Sequence, residues 1–269
     1  MAEQRHSNAG YTSANYSRPL VSVITLSNNS IKNLRVSLEL LKKQDYPFIE
    51  SIIIDRESTD GCTEYIKEFA DEFVQSSAEG NRQCRWISEK DNGLYDAINK
   101  GIDLSTGEII GCYWDMYTSD HVISDMVKVM MNEGTDGVHG DLLYVDKNGK
   151  TVRKWKMGKG SIKRGWLPGH PTLYLKRDVY DTYGKYNTEY LIAADYEFEI
   201  RCFEKNKVRL SYIPDVLIKM FYGGISNENL SAYWRSASES YKALRANGIR
   251  FAGLIVLKRV IRTLIQFRI

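Results

Sequence analysis

The chain has 269 residues, 43% of them hydrophobic, which is enough to bury a sizeable core in one domain. Its 37 basic and 34 acidic residues leave a formal charge of only +3. A protein that follows a nucleic-acid backbone concentrates positive charge, so this balance argues against a nucleic-acid partner. The sequence has no run of 18 apolar residues, so we expect no segment that spans a bilayer.

The N-terminus and the cysteines bear on the cell compartment in which we expect the protein. Residues 1–18 are polar and lack the apolar core of a signal peptide, so we expect a loosely tethered arm. The four cysteines are scattered and form no C-x-x-C pair. We therefore expect reduced, mostly buried thiols in a cytoplasmic protein rather than disulfides.

Four short apolar segments in the first half have the composition of buried strands. They are Val21 to Thr25, Ile49 to Ile54, Trp86 to Ser88 and Ile109 to Tyr113. Between them apolar residues recur at helical spacing, as at Leu34 and Leu38. This alternation predicts an α/β fold with a largely parallel sheet, in which ligands bind beyond the carboxyl ends of the strands. Polar clusters follow three of the strands, at Ser27, Asp55 and Asp115, and mark the expected site.

The second half of the chain has a different pattern. Two strand-like segments flank Lys147-Asn148-Gly149-Lys150, which predicts a β-hairpin. A basic, glycine-rich loop follows, and then a helix around Ala194 to Cys202. The hairpin strands and the two later strand-like segments are Asp136 to Val145, Thr151 to Trp155, Val208 to Ile213 and Val216 to Met220. Two helices divided by Asn247-Gly248 end the chain.

Asp55 is the first candidate for binding chemistry. It closes an apolar strand, where a carboxylate can accept a hydrogen bond from a nucleotide base, and the turn after it can contact a ribose. Ser58 and Asp60 in that turn have the simpler interpretation of helix caps. Gly93 belongs to a second turn, whose glycine opens a helix with backbone N–H groups suited to phosphate. A capping turn explains that second pattern equally well.

Asp115 and Asp195 are the candidates for metal binding and catalysis. Asp115 follows an apolar strand, where a carboxylate could hold a divalent cation against a diphosphate, although a plain turn residue is an equal alternative. Asp195 lies among small and aromatic residues at a helix start and is a candidate general base, or else a helix cap. His170 lies in a turn rich in Pro and Gly, where a lone histidine is more often structural than catalytic.

The order and spacing of these segments resemble the family 2 glycosyltransferases of the GT-A fold over roughly residues 19 to 226, and most closely the bacterial members that build cell-surface polysaccharides. The matching motifs are Val23-Ile24-Thr25-Leu26-Ser27, Ile54-Asp55, Ser58-Thr59-Asp60-Gly61, Ser88-Glu89, Gly93-Leu94-Tyr95-Asp96-Ala97-Ile98-Asn99-Lys100-Gly101, Thr106-Gly107-Glu108-Ile109-Ile110-Gly111, Gly140-Asp141, His170, Ala193-Ala194-Asp195-Tyr196 and Gly223-Gly224-Ile225-Ser226. The resemblance predicts a GT-A domain over 19–228, after the arm of residues 1–18 and before C-terminal amphipathic helices over 229–269.

The resemblance implies a donor site for a nucleotide sugar, with UDP favoured. Ser27 and Asp55 would lie against the nucleoside, with Asp55 on the base. Gly93, Asp96 and Asn99 belong to the segment that lines the donor diphosphate and sugar in the family.

The resemblance also implies the catalytic groups of an inverting enzyme. Asp195 matches the general base that removes a proton from the acceptor hydroxyl, and His170 is carried over as a substrate-binding residue. Asp115 falls at the acidic motif that binds the divalent cation, Mg²⁺ or Mn²⁺. The acceptor implied is a sugar or a lipid-linked sugar.

The chain departs from the family pattern in three places. The motif after the fourth strand is short and has one acid, Asp115, where relatives have two. Asn28 replaces a usual Tyr, and Arg56-Glu57 replaces an acidic or Gly residue followed by Gly. The short acidic motif alone supports the alternative of a catalytically impaired, nucleotide-sugar-binding homologue that acts as a partner or regulator, and the presence of Asp195 and Asp55 argues against it. A nucleotidyltransferase is disfavoured, because the turn after the first strand has neither Gly nor Lys.

The C-terminal segment, residues 251 to 269, combines an apolar stripe with basic residues. Its four positive charges, at Lys258, Arg259, Arg262 and Arg268, have no acid to offset them. A basic amphipathic helix is typical of an interfacial membrane anchor, so we expect peripheral contact with the inner face of the membrane. A helix packed on the domain or on a partner subunit is the alternative.

Overall fold

The computed structural model describes residues 18–77, 81–113, 115–222 and 230–266. Most of the predicted arm, Trp114 and the Gly223-Gly224-Ile225-Ser226 motif therefore lie outside the described residues. The strands are β1 Val21–Ser27, β2 Ile49–Asp55, β3 Gln83–Ser88, β4 Ile109–Cys112, β5 Met116–Tyr117, β6 Gly137–Val145, β7 Thr151–Trp155, β8 Tyr174–Lys176 and β9 Leu210–Phe221. The helices are α1 Ile31–Lys42, α2 Cys62–Gln75, α3 Leu94–Leu104, α4 Val122–Glu133, α5 Arg177–Tyr183, α6 Ala194–Glu199, α7 Leu230–Ala246 and α8 Ala252–Ile265.

All nine strands form one sheet, in the order β3-β2-β1-β4-β8-β6-β9-β5, with β7 paired to β6. The pairs β3–β2, β2–β1 and β1–β4 are parallel, which confirms the parallel sheet expected for the first half. Because β8 is antiparallel to both β4 and β6, and β6 is parallel to β9, both β6 and β9 run in the same direction as the first four strands. The carboxyl ends of these six strands therefore meet at one edge of the sheet.

Buried polar groups tie the first strands together at their other ends. Glu50 in β2 is fully buried, and its carboxylate accepts hydrogen bonds from the Ser22 hydroxyl (2.6 Å) and the Thr106 N–H (2.7 Å). On the same sheet, Gly101 lets α3 approach β1 closely, because a Cβ at that position would lie 2.5 Å from the Ile24 side chain. These contacts join β2 to β1 and to the segment before β4, and they join α3 to β1.

The second half confirms the predicted hairpin and corrects one strand. β6 and β7 pair across the turn at residues 147–150. The two expected strand segments around residues 208–213 and 216–220 are one bent strand, β9. Its register against β6 shifts so that Ile213 faces Gly140 and Val216 faces Asp141. Pro214 lies at this shift and lacks a backbone N–H that could join the hydrogen bonds between the strands. This explains why the sequence gives two separate strand-like segments there.

Helices cover both faces of the sheet. On one face α1, α2 and α4 bury an apolar cluster that includes Leu38, Phe69 and Met126. On the other face a second cluster joins α3 and α6 to the sheet, and Ile255 of α8 belongs to it. All four cysteines are free, and three of them are buried, as expected. In the described part of the chain no helix combines the length and apolar content needed to cross a bilayer.

Candidate functional site

A cavity with a volume of about 470 Å³ lies among the described residues. Its walls come from the start of α3, the β6–β7 hairpin, residues 165–171, the start of α6, and the helices α7 and α8. Tyr144 of β6 and Met220 of β9 lie near the carboxyl ends of their strands and also line it. The cavity therefore lies at the edge of the sheet where the sequence predicted a ligand site.

Asp55 and Ser27 lie side by side at this edge. They are paired in the β1–β2 register, and both are buried. Oδ2 of Asp55 accepts hydrogen bonds from the Ser88 hydroxyl (2.6 Å), the Ser58 N–H (3.1 Å) and the Thr63 hydroxyl (3.2 Å). Oδ1 of Asp55 and the Ser27 hydroxyl have no hydrogen-bond partner among the described residues. Two adjacent buried polar atoms thus have unused hydrogen-bonding capacity, which a bound ligand could satisfy.

The hydrogen bonds to Asp55 decide its charge. Burial works to raise the pKa of this carboxyl, but the hydrogen bonds from Ser58 and Ser88 outweigh burial and hold the pKa below its ordinary value. Asp55 is therefore a carboxylate at neutral pH. An ionised acceptor at this position can bind an N–H donor of a base.

The turn before α3 is shaped by a glycine. Gly93 has φ +123° and ψ 176°, a conformation that is essentially restricted to glycine, and its N–H donates to Asp91 (2.8 Å). A Cβ on Gly93 would meet no atom within 4 Å, so its backbone faces open space on the cavity wall. Arg56 lines the cavity beside this turn and is 3.4 Å from the Asp91 carboxylate.

Asp96 and Asn99 make local contacts. The Asp96 carboxylate accepts a hydrogen bond from the Asn92 N–H (2.9 Å), which fixes the preceding turn. The Asn99 amide donates to the Tyr186 carbonyl (2.8 Å) and accepts from the Tyr186 N–H (3.0 Å). Neither side chain is part of the cavity wall. A role for them in donor binding stays a prediction.

Asp115 follows β4 and is mostly enclosed. Its Oδ2 is buried without a hydrogen-bond partner among the described residues, and burial raises the pKa of this carboxyl to about 7. The described residues contain no group of three or more His, Cys, Asp or Glu that could hold a metal ion. Asp115 fits a cation whose other ligands come from a diphosphate and water, since Mg²⁺ is commonly held by one or two carboxylates.

Asp195 lies in the first turn of α6 and lines the cavity. The helix begins after Ala193, so Asp195 is not its cap. The Tyr95 hydroxyl lies 3.0 Å from Oδ1 of Asp195, and burial together with the Asp195 charge raises the Tyr95 pKa well above its ordinary value. Tyr95 therefore stays protonated, and its single O–H can donate either to Asp195 or to the Ile192 carbonyl oxygen, 2.8 Å away. The Tyr196 N–H also donates to Oδ1 of Asp195 (2.8 Å) and helps to orient this carboxylate.

His170 also lines the cavity, and its imidazole belongs to the same group of aromatic side chains. Its Nε2 lies 2.8 Å from the Tyr186 hydroxyl, and Tyr186 stacks on Tyr95 with ring centroids 5.8 Å apart. Burial lowers the pKa of His170, although the nearby Asp195 charge opposes this effect. His170 is thus connected through Tyr186 and Tyr95 to the Asp195 carboxylate.

Tyr144 lines the cavity, and the charges of Asp115 and Asp195 both affect its pKa. It was not predicted from the sequence as a site residue. Burial raises its pKa, Arg153 works against that rise, and the charges of Asp115 and Asp195 add to it. Tyr144 therefore lies within electrostatic reach of both acids. The structure places Asp195, Gly93 and His170 on the cavity wall, whereas Ser27, Asp55 and Asp115 lie outside its lining, at the carboxyl ends of β1, β2 and β4.

Helix α8 lines the cavity with two basic side chains that the sequence analysis expected to face a membrane. Arg259, Arg262 and Gln266 face the cavity, whereas Leu257 and Ile261 are half exposed on the outside. Two of the four basic residues expected to face a membrane thus point into the protein, because the inner side of α8 packs on α7 and residues 162–164. Arg268 lies outside the described residues. The spacing of Arg259, Arg262 and Gln266 by three and four is the signal that could have revealed an inner polar face.

Comparisons with known proteins identify the family of this chain. Residues 22–186 match the model of "Glycosyl transferase family 2". A "PGL/p-HBAD biosynthesis glycosyltransferase" of Mycobacterium bovis is 27% identical over 215 residues, which is 78% of this chain and 80% of that protein.

Two similar solved structures carry nucleotide sugars. A mannosyltransferase from Pyrobaculum calidifontis in complex with GDP-Man and Mn²⁺ is 18% identical, with 91% of this chain and 74% of that one covered at a TM-score of 0.62. The 1–349 form of S. aureus TarS in complex with UDP-GlcNAc is 16% identical, with 90% and 72% covered at a TM-score of 0.64. The family match covers more than half of the chain, so this chain belongs to glycosyl transferase family 2 and is a glycosyltransferase with the GT-A fold.

Proposed function

We propose that this glycosyltransferase inverts the anomeric centre as it moves a sugar from a nucleotide-diphosphate sugar to an acceptor hydroxyl. The observation that carries the proposal is Asp195, a carboxylate on the cavity wall with Tyr95 beside it. Asp195 takes the proton of the acceptor hydroxyl as that oxygen bonds to the anomeric carbon. The bond from the anomeric carbon to the diphosphate breaks on the opposite face, and the electron pair leaves with the diphosphate.

The donor binds at the carboxyl edge of the first strands. Oδ1 of Asp55 and the Ser27 hydroxyl hydrogen-bond the base, and the backbone at Gly93 approaches the phosphates. The family resemblance favours UDP as the nucleotide, and the imide N–H of uracil can donate a hydrogen bond to an ionised Asp55. TarS binds UDP-GlcNAc, which supports UDP, whereas the Pyrobaculum mannosyltransferase binds GDP-Man.

A divalent cation, Mg²⁺ or Mn²⁺, is held at Asp115 together with the donor. Oδ2 of Asp115 is a buried oxygen without a partner among the described residues, which supports this role. When bound, the cation neutralises charge that develops on the departing diphosphate. Because the chain offers one carboxylate there, the cation binds weakly without the donor. Mn²⁺ in the Pyrobaculum complex supports a cation in this fold.

The acceptor is a sugar or lipid-linked sugar in the synthesis of a glycolipid or polysaccharide. The name of the mycobacterial relative, a PGL/p-HBAD biosynthesis glycosyltransferase, supports this class. The outer face of α8 supports a peripheral contact with the cytoplasmic face of the membrane. Phe251, Leu254 and Leu264 are 78%, 52% and 62% exposed there, and Lys258 is exposed beside them.

Donor binding and product configuration together test this function. Melting temperatures are measured with UDP-sugars and GDP-sugars, with and without Mn²⁺, because a ligand that binds the folded state raises the melting temperature. We expect the largest rise with a UDP-sugar plus Mn²⁺. The anomeric configuration of the product, read by NMR, should be opposite to that of the donor. Retention, or a preference for GDP-sugars, would contradict the corresponding part of the proposal.

Release of free UDP separates an active enzyme from an impaired homologue. An active enzyme releases free UDP from a UDP-sugar, slowly with water and faster with an acceptor. A chain that binds the donor but releases no UDP under either condition supports a binding or regulatory protein. Asp115→Asn is the informative variant, since it removes the single carboxylate proposed for the cation.

A further inference from the structure

The segment that carries Asp195 lies against the C-terminal helices. This segment, residues 190–196, is the entry turn of α6, and its residues Leu191, Ile192 and Asp195 line the cavity. Helix α7 packs on α6 and lines the same cavity with Ser240. The entry turn and α7 are therefore neighbouring parts of one wall.

Glu239 of α7 bonds the backbone of the entry turn. Its Oε2 accepts hydrogen bonds from the Ile192 N–H (2.9 Å) and from the Ala193 N–H (3.0 Å). The carbonyl oxygen of Ile192 lies 2.8 Å from the Tyr95 hydroxyl of α3. Two elements that are distant in the chain thus hold the peptide groups just before Asp195.

The start of α6 takes this acceptor from a distant part of the chain. In many helices a Glu or Gln at the third helical residue accepts a hydrogen bond from the N–H of the N-cap residue. In α6 the N-cap is Ala193 and the third helical residue is Tyr196. Glu239, which is 46 residues beyond Ala193, accepts that bond instead. Because Glu239 lies outside the cavity lining, it acts from behind the wall, whereas Asp195 faces the cavity.

Two further contacts join the entry turn to the same helices. The Lys242 ammonium of α7 lies 5.0 Å from the centroid of the Tyr190 ring. The Arg259 guanidinium of α8 lies 4.6 Å from the centroid of the Tyr196 ring and donates to the Ser240 hydroxyl (2.7 Å). Helices α7 and α8 thus contact both ends of the entry turn as well as its middle.

Small movements of the entry turn matter for proton transfer. A general base must lie within about 2.6–3.2 Å of the oxygen whose proton it removes. A displacement of about 1 Å can cost on the order of 10²-fold in rate. Only Ala194 lies between Ala193 and Asp195, so a shift of the peptide groups that Glu239 holds also moves the Asp195 carboxylate.

From these contacts we infer that Glu239 is a positioning residue for Asp195. Its hydrogen bonds to Ile192 and Ala193 fix the backbone that aims the Asp195 carboxylate at the acceptor hydroxyl. This inference rests on the proposed function, in which Asp195 is the general base. Helix α7 is then part of the catalytic site, although the family match ends at residue 186.

Turnover per nucleotide-binding site, measured in variants of Glu239, tests the inference. The substrate is the UDP-sugar that raises the melting temperature of the wild type most, and the release of UDP to water is measured over time. Binding sites are counted by calorimetric titration with UDP and Mn²⁺. Because unfolded protein is not counted, a loss of stability alone does not lower the turnover per site.

Glu239→Ala removes the acceptor, so turnover per site should fall by on the order of 10²-fold while the affinity for UDP changes by less than about twofold. Glu239→Gln should stay within about threefold of the wild type, because its amide oxygen can accept both N–H groups. Glu68→Ala, at an exposed acid of α2, is the matched control and should behave like the wild type.

A double variant shows whether Glu239 acts through Asp195. In the Asp195→Asn protein, the addition of Glu239→Ala should lower turnover by less than about twofold further, because the position of a group that cannot accept the proton no longer matters. Fully additive losses would show that Glu239 acts elsewhere and would overturn the inference.

Two other results would also overturn the inference. Unchanged turnover per site in Glu239→Ala would make Glu239 an ordinary helix cap. An equal loss in Glu239→Gln and Glu239→Ala would show that the negative charge matters, rather than the hydrogen bonds to the backbone. If Glu239→Ala does not fold, Glu239→Met replaces it, since Met keeps the length of the side chain without a carbonyl oxygen. Failure of the proposed function appears separately, as near-normal turnover in Asp195→Asn or as a protein that does not bind UDP.

Discussion

Two regions of the site differ in their electrostatics. The donor half, where we propose that the donor binds, contains Ser27 and Asp55, and the acceptor half, where we propose that the acceptor binds, contains Asp195 together with Arg259 and Arg262 of α8. In the donor half Asp55 is surrounded by O–H and N–H donors that keep it ionised inside the protein. In the acceptor half Arg259 and Arg262 face a cavity without ion-pair partners among the described residues. The first arrangement stabilises the empty protein, whereas the second carries charge that a ligand can satisfy. Substitutions should therefore affect stability in the donor half and ligand binding or turnover in the acceptor half.

The largest effect is expected at Asp195. Asp195→Asn keeps the shape of the side chain but cannot accept the acceptor proton, so turnover should fall by on the order of 10²–10⁴-fold, the usual contribution of a general base. The affinity for the donor should be unchanged by calorimetry. Asp103→Asn, at an exposed acid of α3, is the matched control. Near-normal turnover in Asp195→Asn would remove Asp195 from the mechanism.

The outer face of α8 should govern membrane contact. The double variant Leu257→Glu/Ile261→Glu removes two half-exposed apolar side chains and adds two negative charges, so binding to anionic liposomes should fall by on the order of 10²-fold. Co-sedimentation measures this effect. Val36→Glu/Val74→Glu, on helices α1 and α2, changes two equally apolar exposed positions and should bind like the wild type. Equal loss in both variants would indicate a nonspecific effect of charge.

Substitution at Asp55 should lower stability and change its pH dependence. Because the folded pKa of Asp55 lies below its ordinary value, its contribution is present above about pH 4 and is lost as the pH falls through the lowered pKa. At pH 7, Asp55→Asn should reduce the free energy of unfolding by about 2 kcal/mol, since hydrogen bonds to a charged acceptor are lost. Urea denaturation from pH 3 to pH 7 measures both effects. An unchanged pH profile would contradict the assignment.

A smaller effect is expected at Gly93. Gly93→Ala should cost about 1–3 kcal/mol of stability, because φ +123° with ψ 176° is a strained conformation for a residue with a Cβ. The affinity for the donor should fall as well, since this turn is part of the cavity wall. Gly253→Ala in α8 is the control, because its Cβ would meet no atom within 4 Å and its backbone is helical. Equal stability of the two variants would show that the turn relaxes.

The donor half could be predicted from the sequence because its signals are local. Apolar strands that end in Ser27 and Asp55 are visible as patterns of a few residues, and parallel strands bring their carboxyl ends together. The acceptor half depends on contacts between distant segments, such as Arg153 with Gln266. The apolar stripe of α8 was recognised, but its spacing does not show which face packs on the domain. The inward arginines and Tyr144 were therefore missed.

The long-range contacts of the cavity have a consequence for how the protein is made. Tyr95 meets Asp195 across 100 residues, and Arg153 meets Gln266 across 113. Contacts between such distant residues form late, because long loops must close first. On the ribosome the sheet and the donor half can assemble while the chain is still growing. We therefore expect the cavity wall that α8 forms to be completed after the sheet, because α8 follows all nine strands in the chain.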